Sequence, residues 1–184
     1  MDEGMVIEHI CSSIGEVNIR MAIPQDAASL RELRLEALMS YPEAFAADVD
    51  LTAAEGNNVW AERLSNYIAS QSGAMCIAQC GDALVGMSGI GRGHWPKTRH
   101  FGTLWGVYVK PEWRGNHIGT GLTNGCLGWA RGNGLSVVSL GVNVANTSAI
   151  TCYQRCGFTV YGVEPKALYV NGVYHDELLM AILL

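Results

Sequence analysis

Val107-Tyr-Val-Lys-Pro-Glu-Trp-Arg114-Gly115-Asn116-His117-Ile118-Gly119-Thr120-Gly121-Leu122 is the stretch on which the reading of this chain turns. The apolar run Leu104–Val109 leading into it reads as a strand, and Pro111 stops that strand because proline cannot donate to a ladder. The small residues from Arg114 to Gly121 form a turn. Ile118, Leu122, Cys126 and Trp129 then recur on one side of a helix. Strand, glycine turn and helix start bring several backbone N–H groups to one point. Those amides and the helix dipole supply the positive potential that holds a pyrophosphate, and Arg114 adds a formal charge at the rim. A turn of this kind also serves simply to let helix and strand pack closely. Two other phosphate motifs fail on inspection. No GK[ST] ending for a P-loop is present, and Gly89-Ile-Gly91-Arg-Gly93 lacks both the GxGxxG spacing and a following helix.

Outward from the turn, the chain alternates strands and helices. Val17–Met21 alternates as a first strand, and residues 1–16 read as a flexible extension. Pro24 and Asp26 open a helix whose apolar face is Leu30, Leu33, Ala37 and Leu38, ended by Tyr41-Pro42. A second helix is expected from Thr52, where Thr52-Ala-Ala-Glu55 fits a capping box, with Trp60, Leu64, Tyr67 and Ile68 as its buried stripe. Met75–Cys80 and Ala83–Ile90 form a hairpin turning at Gly81-Asp82. After the central strand and helix come a strand at Ser136–Val142, a helix at Asn146–Cys156, and strands near Phe158–Val163 and Val173–Leu183. The order is that of one mixed α/β domain, residues 17–184.

Composition bounds the partners. The 184 residues carry net charge −5, with 49% hydrophobic and 16% charged residues, which suits a single globular core. An acidic balance argues against nucleic acid or an anionic membrane as the main partner. No apolar run reaches the ~18–20 residues that span a bilayer. Six cysteines without a CxxC pair read as reduced thiols, hence a cytoplasmic protein. The five histidines show no metal-ligand spacing, so no metal is expected.

About 30 residues beyond the turn lies Asn143-Val-Ala-Asn146-Thr-Ser-Ala149-Ile-Thr-Cys-Tyr153-Gln-Arg-Cys156-Gly157-Phe158. Asn146 reads as an N-cap, Gly157 as the residue ending the helix, and Phe158 as a core anchor. With both stretches in hand, the chain resembles the GNAT superfamily of N-acetyltransferases. Asn146, Ala149, Tyr153, Gly157 and Phe158 complete one of that family's signatures. Arg114 and Gly119 match its phosphate turn, with His117 where glycine is usual. Ile19-Arg20, Asp26, Leu30, Leu33-Arg34 and the closing Asp176–Met180 are also similar, so the resemblance spans roughly residues 17–184.

The resemblance implies a mostly antiparallel sheet splayed between its fourth and fifth strands, Leu104–Val109 and Ser136–Val142, and flanked by helices. It implies acetyl-CoA as co-substrate, with pantetheine in that gap against the backbones of Val107 and Val109. The amide of Val107 would stabilise the oxyanion, and the pyrophosphate would sit on Arg114, Gly115, Asn116, His117, Ile118, Gly119 and Thr120. Asn146 would hold the pantetheine arm and Tyr153 would protonate the departing thiolate. His117 either points outward, the reading taken here, or hydrogen-bonds a phosphate oxygen.

The acceptor is expected to be a primary amine of a small molecule or peptide. The connection Tyr41-Pro-Glu43-Ala-Phe45 lines the acceptor site in that superfamily, and Trp105 would add an aromatic wall. The acidic residue that many members carry on the fourth strand is missing near Trp105-Gly106. Glu43, Asp48, His100 and His175 stay open as the base, beside relay through solvent. Tyr174 reads as packing, and the basic loop from Arg92 to His100 as a solvated hairpin. An acyl-CoA-binding regulator without turnover is the alternative, and an interaction protein of the same fold a third reading. A homodimer is the default oligomer.

Overall fold

The computed structural model describes residues 6–12 and 14–184. Eight strands form one sheet in the spatial order β1-β2-β3-β4-β5-β6-β8-β7: β1 (Val6–Ser12), β2 (Gly15–Met21), β3 (Gly73–Cys80), β4 (Ala83–Arg92), β5 (Phe101–Val109), β6 (Val137–Asn143), β7 (Thr159–Val170) and β8 (Val173–Leu183). Every adjacent pair is antiparallel except β5 and β6. Five helices flank it: α1 (Ala27–Ser40), α2 (Val49–Ala54), α3 (Asn57–Ser70), α4 (Ile118–Gly132) and α5 (Thr147–Arg155).

Period-two alternation of side chains splits the core into two layers. On β3, Met75 and Ile77 join Leu30, Leu33, Trp60 and Leu64 of α1 and α3, whereas Cys76 and Ala78 join Leu122 and Cys126 of α4. Phe158 is 1% exposed in the α4 layer and closes the sheet end near α5.

Three expectations are corrected. First, residues 6–12 are not an extension: they pair with β2, Ile10 opposite Val17 and Cys11 opposite Glu16, while residues 1–5 and 13 of that stretch lie outside the described residues. Backbone pairing holds this edge strand, and helical glycines make room for it. A Cβ at Gly121 would meet the Glu8 carboxylate at 2.9 Å and Ile10 at 3.2 Å. Second, Thr52 caps nothing. Asp48 starts α2 by accepting from the Leu51 amide at 2.8 Å, the Thr52 hydroxyl donates back to the Asp48 carbonyl at 2.6 Å, and Glu55 turns away to pair with Arg63. Gly56 then separates α2 from α3, so one expected helix is two. Third, Ile68 is 59% exposed and does not belong to the buried stripe.

Candidate active site

The site begins at a fault in β5. Met87 faces Tyr108 and Gly89 faces Trp105, so Gly106 and Val107 together oppose the single residue Ser88. This is a β-bulge, and Gly106 takes φ +65°, a conformation that costs a side-chain-bearing residue about 1–2 kcal/mol. The extra residue inverts the parity of the strand. Leu104 before the bulge and Val107 and Val109 after it all pack on the α4 layer, whereas Trp105 and Tyr108 pack on the α1 layer. Pairing with β6 has stopped before the bulge is reached. The two strands run parallel only from Phe101–Thr103 against Val137–Ser139, and beyond Thr103 they part. This is the splay expected between these strands.

A cavity of about 800 Å³ fills the gap. Val107 and Val109 form one wall, and the opposite wall is Asn146, Ala149, Cys152 and Tyr153 of the α5 segment. Its floor is the turn into α4. Gly115 has φ +83° and His117 φ +60°, so the backbone curls twice through left-handed conformations before the helix. The first helical bond runs from the Gly121 amide to the His117 carbonyl, which leaves the amides of Ile118, Gly119 and Thr120 without intrahelical partners. All three residues line the cavity, as does the exposed His117. Gly119 packs near α5, where a Cβ would lie 3.4 Å from the Cys152 sulfur, an ordinary contact.

Arg114 is exposed and reaches across this floor. Its Nε donates to the Val109 carbonyl at 3.0 Å, its Nη1 donates to the Tyr41 hydroxyl at 3.0 Å, and its Cζ lies 4.6 Å from the Tyr41 ring centroid. Asn146 is the N-cap of α5: its Oδ1 accepts from the Ala149 amide and the Ser148 hydroxyl, leaving Nδ2 to donate elsewhere. Tyr153 is 8% exposed, stacks edge-on against Phe158 at 6.1 Å, and lines the cavity. Burial pushes its phenol well above the usual value near 10, and Cys152 and Cys156 push it further. A hydrogen bond from Cys156, joined by one from Thr120 and opposed by burial, holds the Cys152 thiol below its usual range.

At the other end of the cavity the loop after α1 brings Tyr41, Glu43 and Phe45 to the rim. Asn143, at the end of β6, anchors that loop. Its Nδ2 donates to the Glu43 carbonyl at 3.0 Å, and its Oδ1 accepts from the Ala145 amide at 2.9 Å. The same Nδ2 lies 3.4 Å from His175 Nδ1, and His175 also lines the cavity. Of the four candidate bases, therefore, Glu43 and His175 reach the site. Asp48 caps α2, and His100 precedes β5, its carbonyl accepting from the Ser136 amide. Two other site candidates fall outside. Asn116 turns its amide back onto the Trp113 and Arg114 carbonyls, and Trp105 faces the α1 layer because the bulge separates its parity from that of Val107. Sequence reasoning quoted Asn143 without giving it a role, and it passed over Cys152 and Trp113 as lining residues. Tyr174 stacks on Tyr169 at 4.6 Å, as packing would have it. Among the described residues, no three His, Cys, Asp or Glu side chains gather as a metal cluster would require, and no helix is long and apolar enough to cross a membrane.

Comparison with known proteins follows the same lines. The profile of the Acetyltransferase (GNAT) family matches residues 34–158. An aminoglycoside N(6')-acetyltransferase type 1 from Stenotrophomonas maltophilia is 29% identical over 145 residues, covering 76% of this chain and 84% of the relative. Among solved structures, a GNAT-family acetyltransferase from Streptococcus pneumoniae superposes with a TM-score of 0.83 at 24% identity, covering 91% of this chain and 99% of that one. An acetyltransferase from Salmonella typhimurium, solved with its cofactor acetyl-CoA, gives a TM-score of 0.76 at 23% identity, covering 91% and 93%.

Proposed function

Because the chain belongs to the GNAT acetyltransferase family, we propose that its cleft performs acetyl transfer from acetyl-CoA to a primary amine of a small molecule or peptide, by direct attack of the amine on the thioester. The carrying observation is the gap where β5 and β6 part beyond Thr103, lined by Val107 and Val109 after the bulge and by Ile118, Gly119 and Thr120, whose amides lack intrahelical partners. That shape fits the co-substrate. Amides of Ile118, Gly119 and Thr120 receive the pyrophosphate, aided by Gly115 and by the Arg114 guanidinium once it leaves Tyr41. Val107 and Val109 offer their backbones to the pantetheine arm as a missing strand would, and Asn146 Nδ2 donates to the arm from the other wall.

The chemistry then needs three groups of the chain. The Val107 amide donates to the thioester oxygen as negative charge develops on it. Tyr153, kept protonated by its burial, gives its proton to the departing sulfur; a thiol of ordinary pKa near 8.5 leaves readily, so this help is modest. The amine loses its proton at the rim formed by Glu43 and His175, directly or through water. Relatives include an aminoglycoside acetyltransferase, which supports a small amine as acceptor. Reduced cysteines, all six of them free, accord with a cytoplasmic setting.

Calorimetric titration with acetyl-CoA, beside free CoA and ATP, tests the reading, followed by thiol release with a panel of amines. Saturable binding that ATP does not reproduce, with thiol release for at least one amine, is expected. Binding without release for any amine would turn the conclusion to a non-catalytic acyl-CoA binder.

A further inference from the structure

Behind the acceptor rim lies a cation without a counterion. Arg34, on α1, is 7% exposed, and its Nη1 is buried with no hydrogen-bond partner. None of the ion pairs among the described residues includes it; those are Arg20–Asp26, Arg63–Glu55 and Lys110–Glu36. Its guanidinium lies near two aromatic rings, 4.8 Å from the centroid of Phe45 and 5.9 Å from that of Trp105. Burial brings its pKa down to about 10, so it remains charged at neutral pH at a cost in desolvation. A structural arginine in such a place is ordinarily paired, because breaking water's hold on a cation is repaid only by an anion and by hydrogen bonds.

Its position explains the vacancy. Phe45, the ring over the guanidinium, is itself a residue of the cavity wall. Gly106 gives the guanidinium room from the other side: a Cβ there would stand 3.3 Å from Nη1. Nη1 therefore sits beside the residue that immediately precedes Val107, the amide assigned to the thioester oxygen. A group bonded to Nη1 and one attacking the acetyl carbon would lie on a single small molecule. Glu43, from the same loop as Phe45, supplies the opposite charge that an ammonium group needs on approach.

Resting on the acetyl-transfer reading above, we propose that Arg34 binds a carboxylate of the acceptor, which is an amino acid with its carboxylate close to the reacting amine. The geometry behind this is the buried, unpaired Nη1 close to Gly106, with the guanidinium against Phe45, a residue of the cleft wall; Arg34 itself lies behind that wall. Phe45 shifts aside or forms the apolar flank of the bound molecule. Nη1 then gains the acceptor it lacks, and the guanidinium fork can hold both carboxylate oxygens.

The test is equilibrium binding of reaction products to the full chain saturated with CoA. N-acetyl amino acids with small, aromatic, acidic and basic side chains are titrated, each beside its carboxamide. At least one carboxylate should bind ~10-fold or more tightly than its carboxamide. Arg34→Met should weaken that carboxylate by about 10- to 100-fold, the range of a charged hydrogen-bonded contact, and shift the carboxamide and CoA by less than about threefold. Arg34→Lys should fall between. Carboxylate and carboxamide binding alike across the panel, or a preference that survives Arg34→Met, overturns the assignment. Should Arg34→Met fail to unfold cooperatively, Arg34→Lys decides instead: a reduced carboxylate preference is expected, and a preference equal to that of the wild type overturns the assignment. Thiol release separates the two readings: amines turned over without regard to a carboxylate sink this inference alone, whereas no acetyl-CoA binding sinks the acetyl-transfer reading.

Discussion

The Nη1 of Arg114 donates to the hydroxyl of Tyr41 at 3.0 Å, joining the turn before α4 to the loop after α1 across the mouth of the cleft. The bond is made by the one formal charge in the turn before α4, so on the proposed reading a bound pyrophosphate and Tyr41 would compete for it. Arg114→Ala should weaken acetyl-CoA by at least ~10-fold, as the loss of a charge-assisted contact worth about 1.5–3 kcal/mol implies. Tyr41→Phe should leave acetyl-CoA affinity unchanged or tighten it up to about threefold. Calorimetric titration of both variants reads the difference, and equal weakening in the two would show that the bond serves the fold rather than the ligand.

Tyr153→Phe should lower kcat by about 10²-fold with the acetyl-CoA dissociation constant nearly constant. The phenol's raised pKa keeps it protonated through neutral and mildly alkaline pH, so the wild-type rate should show no fall from this group below pH ~10. Steady-state kinetics alongside titration separates the two constants. An unchanged kcat would remove Tyr153 from the proton transfer.

Alkaline pH should destabilise the protein. Burial raises the thiols of Cys76 and Cys126, the latter to about 12, and the phenols of Tyr108 and Tyr153. Groups whose folded values lie above their unfolded ones contribute stability that is complete below the unfolded value, and it is lost as pH rises toward the folded one. With unfolded thiols near 9 and phenols near 10, the loss starts just above pH 9. Thermal melts between pH 7 and 10.5 should show Tm falling only in the upper part of that range. A Tm that stays flat to pH 10.5 contradicts the burial of these groups.

Gly106→Ala should damage catalysis more than affinity. The new Cβ meets φ +65° and the Arg34 guanidinium at 3.3 Å, for a cost of about 1–2 kcal/mol in stability. Relief comes by flattening the bulge, which re-aims the Val107 amide. A melt and a turnover assay on one preparation should show a modest fall in Tm and a fall in kcat of ~10-fold or more. Full turnover in a destabilised protein would mean that the bulge is tolerant and the amide is not the oxyanion donor.

His117→Gly should stabilise the fold, because φ +60° is strained for histidine and free for glycine. With the imidazole exposed, acetyl-CoA affinity should change by less than about twofold. A loss of ~10-fold would instead assign the imidazole to a phosphate oxygen.

Much of this site was legible in the chain because its parts are local. Pro111, the glycines after Arg114 and the recurrence of Ile118, Leu122 and Cys126 fix a strand, a turn and a helix within 20 residues, each through its own neighbours. Asn146 and Gly157 likewise mark the two ends of one helix by cap chemistry, and both ends fall as read. Thr52 misled for the same reason inverted: a capping pattern is only a local offer, and Asp48, four residues earlier, took the role first. The edge strand at Val6–Ser12 carried little apolar alternation, since it is held by ladder bonds to β2 and by the shallow face that glycines leave on α4.

What the sequence by itself determined, then, is the succession of elements, the glycine turn before α4, the capped helix bearing Tyr153, and the family they define together. Only the tertiary structure decided which face each residue of β5 shows, because one extra residue at Gly106 reverses the period of two and sends Val107 to the cleft and Trp105 to the α1 layer. It alone also brought Asn143 to Glu43, 100 positions apart, and left Arg34 buried without an anion. Pairings at that distance depend on how the sheet twists and parts, and no local pattern of side chains encodes them.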